Sequence, residues 1–340
     1  MRLLWSVYLI FVRFGRDITI ICKIYSMTAR LFSYQIPFKH PIKMQGGLVN
    51  ERRGLLIKTP SGVGEIAPLP YFSPETYADA FAESKVMVRA LNNGTTYTPT
   101  LPSCAMAWLM LHFPLRSFEP TKPYKFVLGS PAQIPQIITP LYTAGARIFK
   151  LKVGLYAWDD ECQLLPKLVD YFPLAKFIID ANCTLSLKDA QNIVAILGPQ
   201  LLYLEDPCSD LESSCQIAAP LGLDELARGN ILEFLSTHAP NLPTSWYLVQ
   251  KPTLNLALTT QILPNIINTP KLHSKLKLDA LNQHLILSSS FESVIGLRYL
   301  ERLSTALKLN PPGTDTLKFF APQAWTEETF WATCTKEEIF

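Results

Sequence analysis

The chain has 340 residues, 48% of them hydrophobic and 17% charged, with a formal net charge of +3. That length accommodates one barrel of about 200–250 residues with a smaller domain beside it, or two modest domains. The positive charge is small and scattered, with no Arg/Lys stripe interleaved with aromatics, which excludes a nucleic-acid partner.

Cysteine and histidine usage narrows the chemistry. The seven cysteines (Cys22, Cys104, Cys162, Cys183, Cys208, Cys215 and Cys334) are odd in number and form no CxxC. They point to free thiols in a reducing, cytoplasmic compartment. The five histidines (His40, His112, His238, His273 and His284) are dispersed, so neither a zinc site nor a Ser/His/Asp triad is written locally.

The run Leu3–Val12 (LLWSVYLIFV) is apolar, with Arg2 before it and Arg13 and Arg16 after it. As a helix it would span roughly 15 Å, half a bilayer core, so no stable membrane span is expected. Residues 1–26 read as an extension outside the fold, with a surface-attached segment and a signal peptide as the alternatives. The folded part is expected to begin near Met27. Arg30–Phe38 reads as a strand, Gly54–Thr59 (GLLIKT) as a second and Gly62–Ile66 (GVGEI) as a third, with Pro60-Ser61-Gly62 as the turn. Ser73 is placed as an N-cap and Pro74 at the first helical position of a helix running to Ala90. Ser103–Phe113 is almost wholly apolar and predicts an internally packed helix, so residues 27–118 form a small α+β domain.

From there the rhythm is strand then helix. The strands are Tyr124–Leu128, Ala146–Val153, Lys176–Asp180, Leu201–Glu205, Leu221–Asp224, Trp246–Lys251 and His284–Ser288, with Thr316–Phe320 as a candidate eighth. Between them lie helical stretches such as Ile134–Ala144, Leu187–Leu197 and Asp210–Ala219. Apolar strands separated by helices predict parallel pairing with both faces covered, closed as a barrel; an open doubly wound sheet is the alternative.

The chemistry lies at the strand ends. Lys150 and Lys152 are two apart on one strand and share a face. The next strands end in Asp180 (with Asn182 beyond it), Glu205-Asp206, Asp224-Glu225 and Lys251. From Lys152 the steps to Asp180, Glu205, Asp224 and Lys251 are 28, 25, 19 and 27 residues, each close to one β/α repeat. In a barrel, residues one repeat apart meet on one rim. Any single acid after an apolar strand is an ordinary loop acid. Three on consecutive strands, bracketed by lysines, predict convergence on a divalent cation such as Mg²⁺, which favours hard oxygen ligands. A lysine there can abstract the proton beside a substrate carboxylate while the cation absorbs the developing charge. Binding of a sugar phosphate is the simpler competitor, but no glycine-rich phosphate loop is present at the expected place.

These residues resemble the enolase superfamily, in its muconate-lactonising-like branch, and within it the o-succinylbenzoate synthase family. The resemblance covers residues 30–320. KLK at 150–152, DAN at 180–182, LEDP at 204–207, LDE at 223–225 and VQKP at 249–252 carry the superfamily likeness. GEIAPLPYFSPET at 64–76 and ILSSSFESVIGL at 286–297 carry the narrower one. The resemblance implies an α/β fold: a modified (β/α)7β TIM-like barrel over 119–320, an N-terminal α+β capping domain over 27–118, and a tail, 321–340, packing on that domain. It implies Mg²⁺ on Asp180, Glu205 and Asp224, Lys152 as the base, Lys150 tuning it, and Lys251 steadying the enediolate. Ser288, Ser289 and Ser290, with Asn182, would bind the substrate, a small-molecule carboxylate, and the loop 64–73 would close over the rim.

The implied reaction is syn dehydration of 2-succinyl-6-hydroxy-2,4-cyclohexadiene-1-carboxylate to 2-succinylbenzoate in menaquinone biosynthesis. N-succinylamino acid racemisation, dipeptide epimerisation and a non-catalytic barrel are the alternatives, in a monomer or homo-oligomer. Two departures stand out. Cys183 occupies the place where many relatives carry Arg, and the short step from Glu205 to Asp224 implies a trimmed helix.

Overall fold

Alternating apolar residues from Leu31 onward commit the first part of the chain to an antiparallel sheet, and the barrel strands follow. The computed structural model describes residues 6–14, 17–25, 28–44, 46–227, 231–238, 245–263, 284–322 and 326–337. Ser6–Phe14 (β1) and Asp17–Tyr25 (β2) pair with each other in a two-stranded sheet of their own. Met27, the expected start of the folded part, lies outside the described residues.

Arg30–Met44 (β3) and Gly47–Lys58 (β4) form a long hairpin, with the register broken between Pro37 and Ile42. Pro37 and Pro41 donate no N–H, so the ladder bulges there. Both strands exceed the expected spans. The alternation marks only the buried half, whereas residues 39–44 run on as a half-exposed ribbon. Val63–Ile66 (β5) pairs with β4.

Tyr77–Asn93 (α1) starts one turn later than the sequence suggests. Thr76 is the N-cap in a reciprocal box with Asp79, and Gly94 ends the helix in a left-handed conformation. The Ser73 hydroxyl accepts the Leu69 N–H at 2.7 Å instead. Thr76-x-x-Asp79 satisfies two orphan donors at once, which a lone Ser73 cap would not. Pro102–His112 (α2) is apolar all round because it serves two cores. Met106, Leu109 and Met110 pack in the interior shared with the barrel, and Cys104, Ala107 and Leu111 pack under the antiparallel sheet.

Seven parallel strands follow: Lys125–Val127 (β6), Ile148–Lys152 (β7), Lys176–Asp180 (β8), Leu201–Glu205 (β9), Leu221–Leu223 (β10), Trp246–Gln250 (β11) and Leu285–Leu287 (β12). They pair in chain order in one curled sheet, the barrel of the expected α/β class. Thr316–Phe320 is not an eighth strand; Leu317–Phe319 is a 3₁₀ turn. The gap between β12 and β6 is taken by the segment before it. Gly313 donates to the Leu287 carbonyl at 2.8 Å, and the Asp315 carboxylate accepts the Phe126 N–H at 3.1 Å. A few such contacts, among them an isolated bridge between Ser288 and Gly313, close the wall without forming a strand.

Alternation along each strand sorts the side chains. Phe149, Leu151, Phe177, Ile179, Leu204 and Leu221 face outward onto helices Ile134–Thr143 (α3), Trp158–Tyr171 (α4) and Leu187–Leu197 (α5). Ile148, Ile178, Tyr203, Tyr247, Val249 and Ile286 fill the interior. The crossover between β9 and β10 is the five-residue helix Leu211–Cys215 (α6), capped by Asp210. Ile231–His238 (α7) follows β10. Near the C-terminus, Val294–Ala306 (α8) covers the last strands, Glu327–Trp331 (α9) seats Phe330 against Tyr34, and Thr335–Lys336 (β13) pairs with β3. Among the described residues, no helix is long and apolar enough to cross a membrane.

Candidate active site

The period of two that places Ile148, Ile178, Tyr203 and Val249 inside also aims the next inward residue on each strand at the rim. Those residues are Lys150 and Lys152 on β7, Asp180 on β8, Glu205 on β9, Asp224 just past β10, Lys251 just past β11 and Ser288 past β12. Lys152, Asp180 and Glu205 are lateral neighbours in the ladder. Gly222 pairs with Glu205; a Cβ there would stand 2.6 Å from the Tyr203 ring, so only glycine lets β10 lie this close.

A cavity of about 380 Å³ opens at this rim, lined by Lys150, Lys152, Asp180, Asp224 and Lys251. Leu69 and Phe72 from the loop after β5 border it, as do Ile42, Lys43 and Met44 from the far end of β3. The Lys251 ammonium stands 5.6 Å from the centre of the Phe72 ring. A larger cavity, about 530 Å³, lies beside β6 and shares Phe126 and Asp315 with the rim, but holds none of its lysines or of Asp180 and Asp224. It is not where the chemistry is gathered.

The charges are paired in two groups. Lys150 bridges Asp180 at 3.0 Å and Glu205 at 2.6 Å, all three buried. Burial opposes the Lys150 charge, but the two carboxylates outweigh it and hold its pKa well above the ordinary lysine value. Burial likewise opposes ionisation of Asp180, yet Lys150 and Lys152 hold it below the usual range. Burial pushes Glu205 up to about 8 against the pull of Lys150, with Asp180, Asp224 and Asp206 adding like charge. Lys251 pairs with Asp224 in the second group. Among the described residues, no ion pair within 4.0 Å holds Lys152, which borders the cavity.

With Asp180 and Glu205 turned to Lys150 and Asp224 turned to Lys251, no three acidic, His or Cys side chains stand grouped as a metal shell among the described residues. The donor set nevertheless fits a hard divalent cation. It offers three carboxylates on consecutive strand ends, and Glu205 Oε2 is buried with no hydrogen-bond partner.

Asn182 does not point freely at the cavity. Its amide nitrogen donates to Asp180 Oδ1 at 2.6 Å, and so it orients that carboxylate. Ser288, Ser289 and Ser290 border the cavity, but their N–H groups donate to Gln250, Gly313 and Glu292 respectively. The Ser289 and Ser290 hydroxyls are engaged with Thr316 and with Thr253 and Glu292. Among the described residues, the Ser288 hydroxyl reaches only Gly313 O, at 3.4 Å. Burial pushes the Cys183 thiol, beside Asn182, up to about 12.

Two further residues matter that sequence reasoning did not single out. Arg52, fully buried, donates to the carbonyls of Ala67, Pro68 and Phe291, tying the loop after β5 to the barrel. The only signal was an arginine on the inward alternation of β4. Asp206 accepts the N–H groups of Asp224, Glu225 and Leu226. Burial, with Asp224 adding like charge, pushes its carboxyl up to about 7.

Comparison with known proteins agrees with this fold. The family model described as MenC, N-terminal domain, matches residues 26–111. An o-succinylbenzoate synthase of Vibrio cholerae serotype O1 (strain M66-2) is 28% identical over 322 residues, covering 89% of this chain and 92% of its own. The crystal structure of an o-succinylbenzoate synthase from Thermosynechococcus elongatus BP-1, complexed with Mg in its active site, matches with a TM-score of 0.64 at 20% identity. That match covers 90% of this chain and 98% of the other. The L-Ala-D/L-Glu epimerase from Bacillus subtilis matches with a TM-score of 0.63 at 14% identity, covering 86% of this chain and 90% of its own.

Proposed function

We propose that this chain, which resembles the o-succinylbenzoate synthases within the enolase superfamily, is such a synthase: a lyase of menaquinone biosynthesis. Its reaction is the syn dehydration of 2-succinyl-6-hydroxy-2,4-cyclohexadiene-1-carboxylate to 2-succinylbenzoate and water. The observation that carries this reading is the single cavity onto which Lys152, Asp180, Asp224 and Lys251 open from the ends of β7, β8, β10 and β11.

Asp180, Glu205 and Asp224 would hold Mg²⁺, which supplies positive charge opposite the substrate carboxylate. Lys152 takes the ring proton beside that carboxylate. A lysine base works in its neutral form. The C–O bond to the ring hydroxyl then breaks, and Lys152 returns the proton to the departing oxygen on the same face, so water leaves and the ring becomes aromatic. Lys251, four strands further round, stabilises the negative charge that develops in between. Arg52 fixes the loop bearing Leu69 and Phe72, which excludes water. The substrate is a small-molecule carboxylate, and a cytoplasmic location goes with this reading.

A racemase or epimerase of the same superfamily needs a proton carrier on both faces. The ion pair of Lys251 with Asp224 suits charge stabilisation better than proton transfer. The deciding experiment assays purified protein on the cyclohexadiene substrate and on an N-succinylamino acid side by side, with EDTA as control. Dehydration that EDTA abolishes is expected. Turnover of the amino acid alone would replace this reading, and no turnover with no bound divalent ion would favour a non-catalytic barrel.

A further inference from the structure

We propose that Asp206 is a positioning residue that aims the Asp224 carboxylate, and thereby sets the affinity of the rim for a divalent cation. The inference rests on the metal-dependent reading above. Asp206 follows Glu205 directly, yet it does not border the cavity and is fully buried. Its backbone turns into the left-handed region, with φ of 41°, so its side chain leaves the outward period that follows Glu205 and reaches sideways to the end of β10.

There Oδ1 accepts the Asp224 N–H at 3.2 Å and the Leu226 N–H at 3.4 Å, while Oδ2 accepts the Glu225 N–H at 2.6 Å. Three successive backbone donors around one anion form a nest. The anion here belongs to the protein, and the first donor is the residue that carries a rim carboxylate. The main chain of Asp206 completes the tie. Its N–H donates to Gly222 O at 2.9 Å, and its carbonyl accepts the Cys183 N–H at 2.7 Å. One residue therefore links the ends of β8, β9 and β10, the three strands bearing Asp180, Glu205 and Asp224.

An ordinary loop acid has no need to be buried beside another carboxylate. No helix begins at residues 224–226 for it to cap, since α7 starts at Ile231. What its burial secures is the direction in which Asp224 leaves the strand.

Asp206→Asn, Asp206→Ala and Asp206→Glu test this in the full chain. Asparagine tolerates the left-handed backbone and keeps the shape, but it places an NH₂ where an N–H donor points. Expected for Asp206→Asn is a Mg²⁺ affinity about 10–100-fold weaker by calorimetry, the range for removing a group that orients a metal ligand. Turnover should recover at saturating Mg²⁺, the melting temperature after EDTA treatment should stay near wild type, and Asp206→Glu should regain part of the affinity. Amide hydrogen exchange at 224–226 in EDTA-treated protein should speed up in both the Asn and Ala variants.

Unchanged exchange at 224–226 overturns the inference whatever the metal does. So does a lowered melting temperature with unaltered Mg²⁺ affinity, which would mark a purely structural tie. A wild type that binds no Mg²⁺, with exchange altered in the variants, overturns the functional reading instead and leaves the tie to Asp224 standing.

Discussion

The two sides of the rim hold their charges differently. On the β7–β9 side, Lys150, Asp180 and Glu205 have side chains 9%, 7% and 1% exposed, locked in one three-membered network. On the β10–β11 side, Lys251 and Asp224 are 14% and 17% exposed and form a single pair under Phe72. A buried triad cannot lose one member cheaply, because the charges left behind are unsolvated. A pair with more access to water loses one member more cheaply. The first side is therefore the more rigidly held, and on the proposed reading the second is where the site would rearrange when substrate arrives.

The largest expected effect falls on the residue that belongs to neither group. Lys152→Ala should lower turnover by about 10²–10⁴-fold, the range for removing general acid–base catalysis, while leaving Mg²⁺ titration intact. A near-normal rate would remove Lys152 from the mechanism. Next comes Lys150→Met, which keeps the volume but strands two buried carboxylates. Denaturant unfolding of EDTA-treated protein should show a loss of about 3–5 kcal/mol. A loss near that of a surface pair would erase the contrast between the two sides. The smallest stability change belongs to Asp224→Asn, within about 1 kcal/mol in the same assay. Its Mg²⁺ affinity should fall by at least about tenfold, the lower bound known for mere orienting partners. Unchanged metal titration would show that Asp224 is not a ligand.

Much of this was legible in the residues. KFIID and LLYLE occupy β8 and β9 residue for residue, because a short apolar run ending in an acid has one simple structural reading. The shortened crossover after Glu205 is the five-residue α6. The start of α1 was misplaced because Ser73 and Thr76 are both good caps, and only the reciprocal bond from Asp79 separates them. The serines at 288–290 were read as free donors, whereas the closing segment at Gly313–Thr316 and the neighbouring Thr253 and Glu292 occupy most of their groups.

By itself the sequence determined the barrel class, the strand ends, and which charged residues share the inward period. These are local properties, written in alternation and in spacing by one repeat. Tertiary structure alone decided that Asp206 serves Asp224, that Arg52 reaches three carbonyls, and that Lys150 rather than Lys152 is sandwiched between the acids. Each of those depends on which backbone groups lie within hydrogen-bond reach after the sheet has curled, and no pattern along a single chain encodes that.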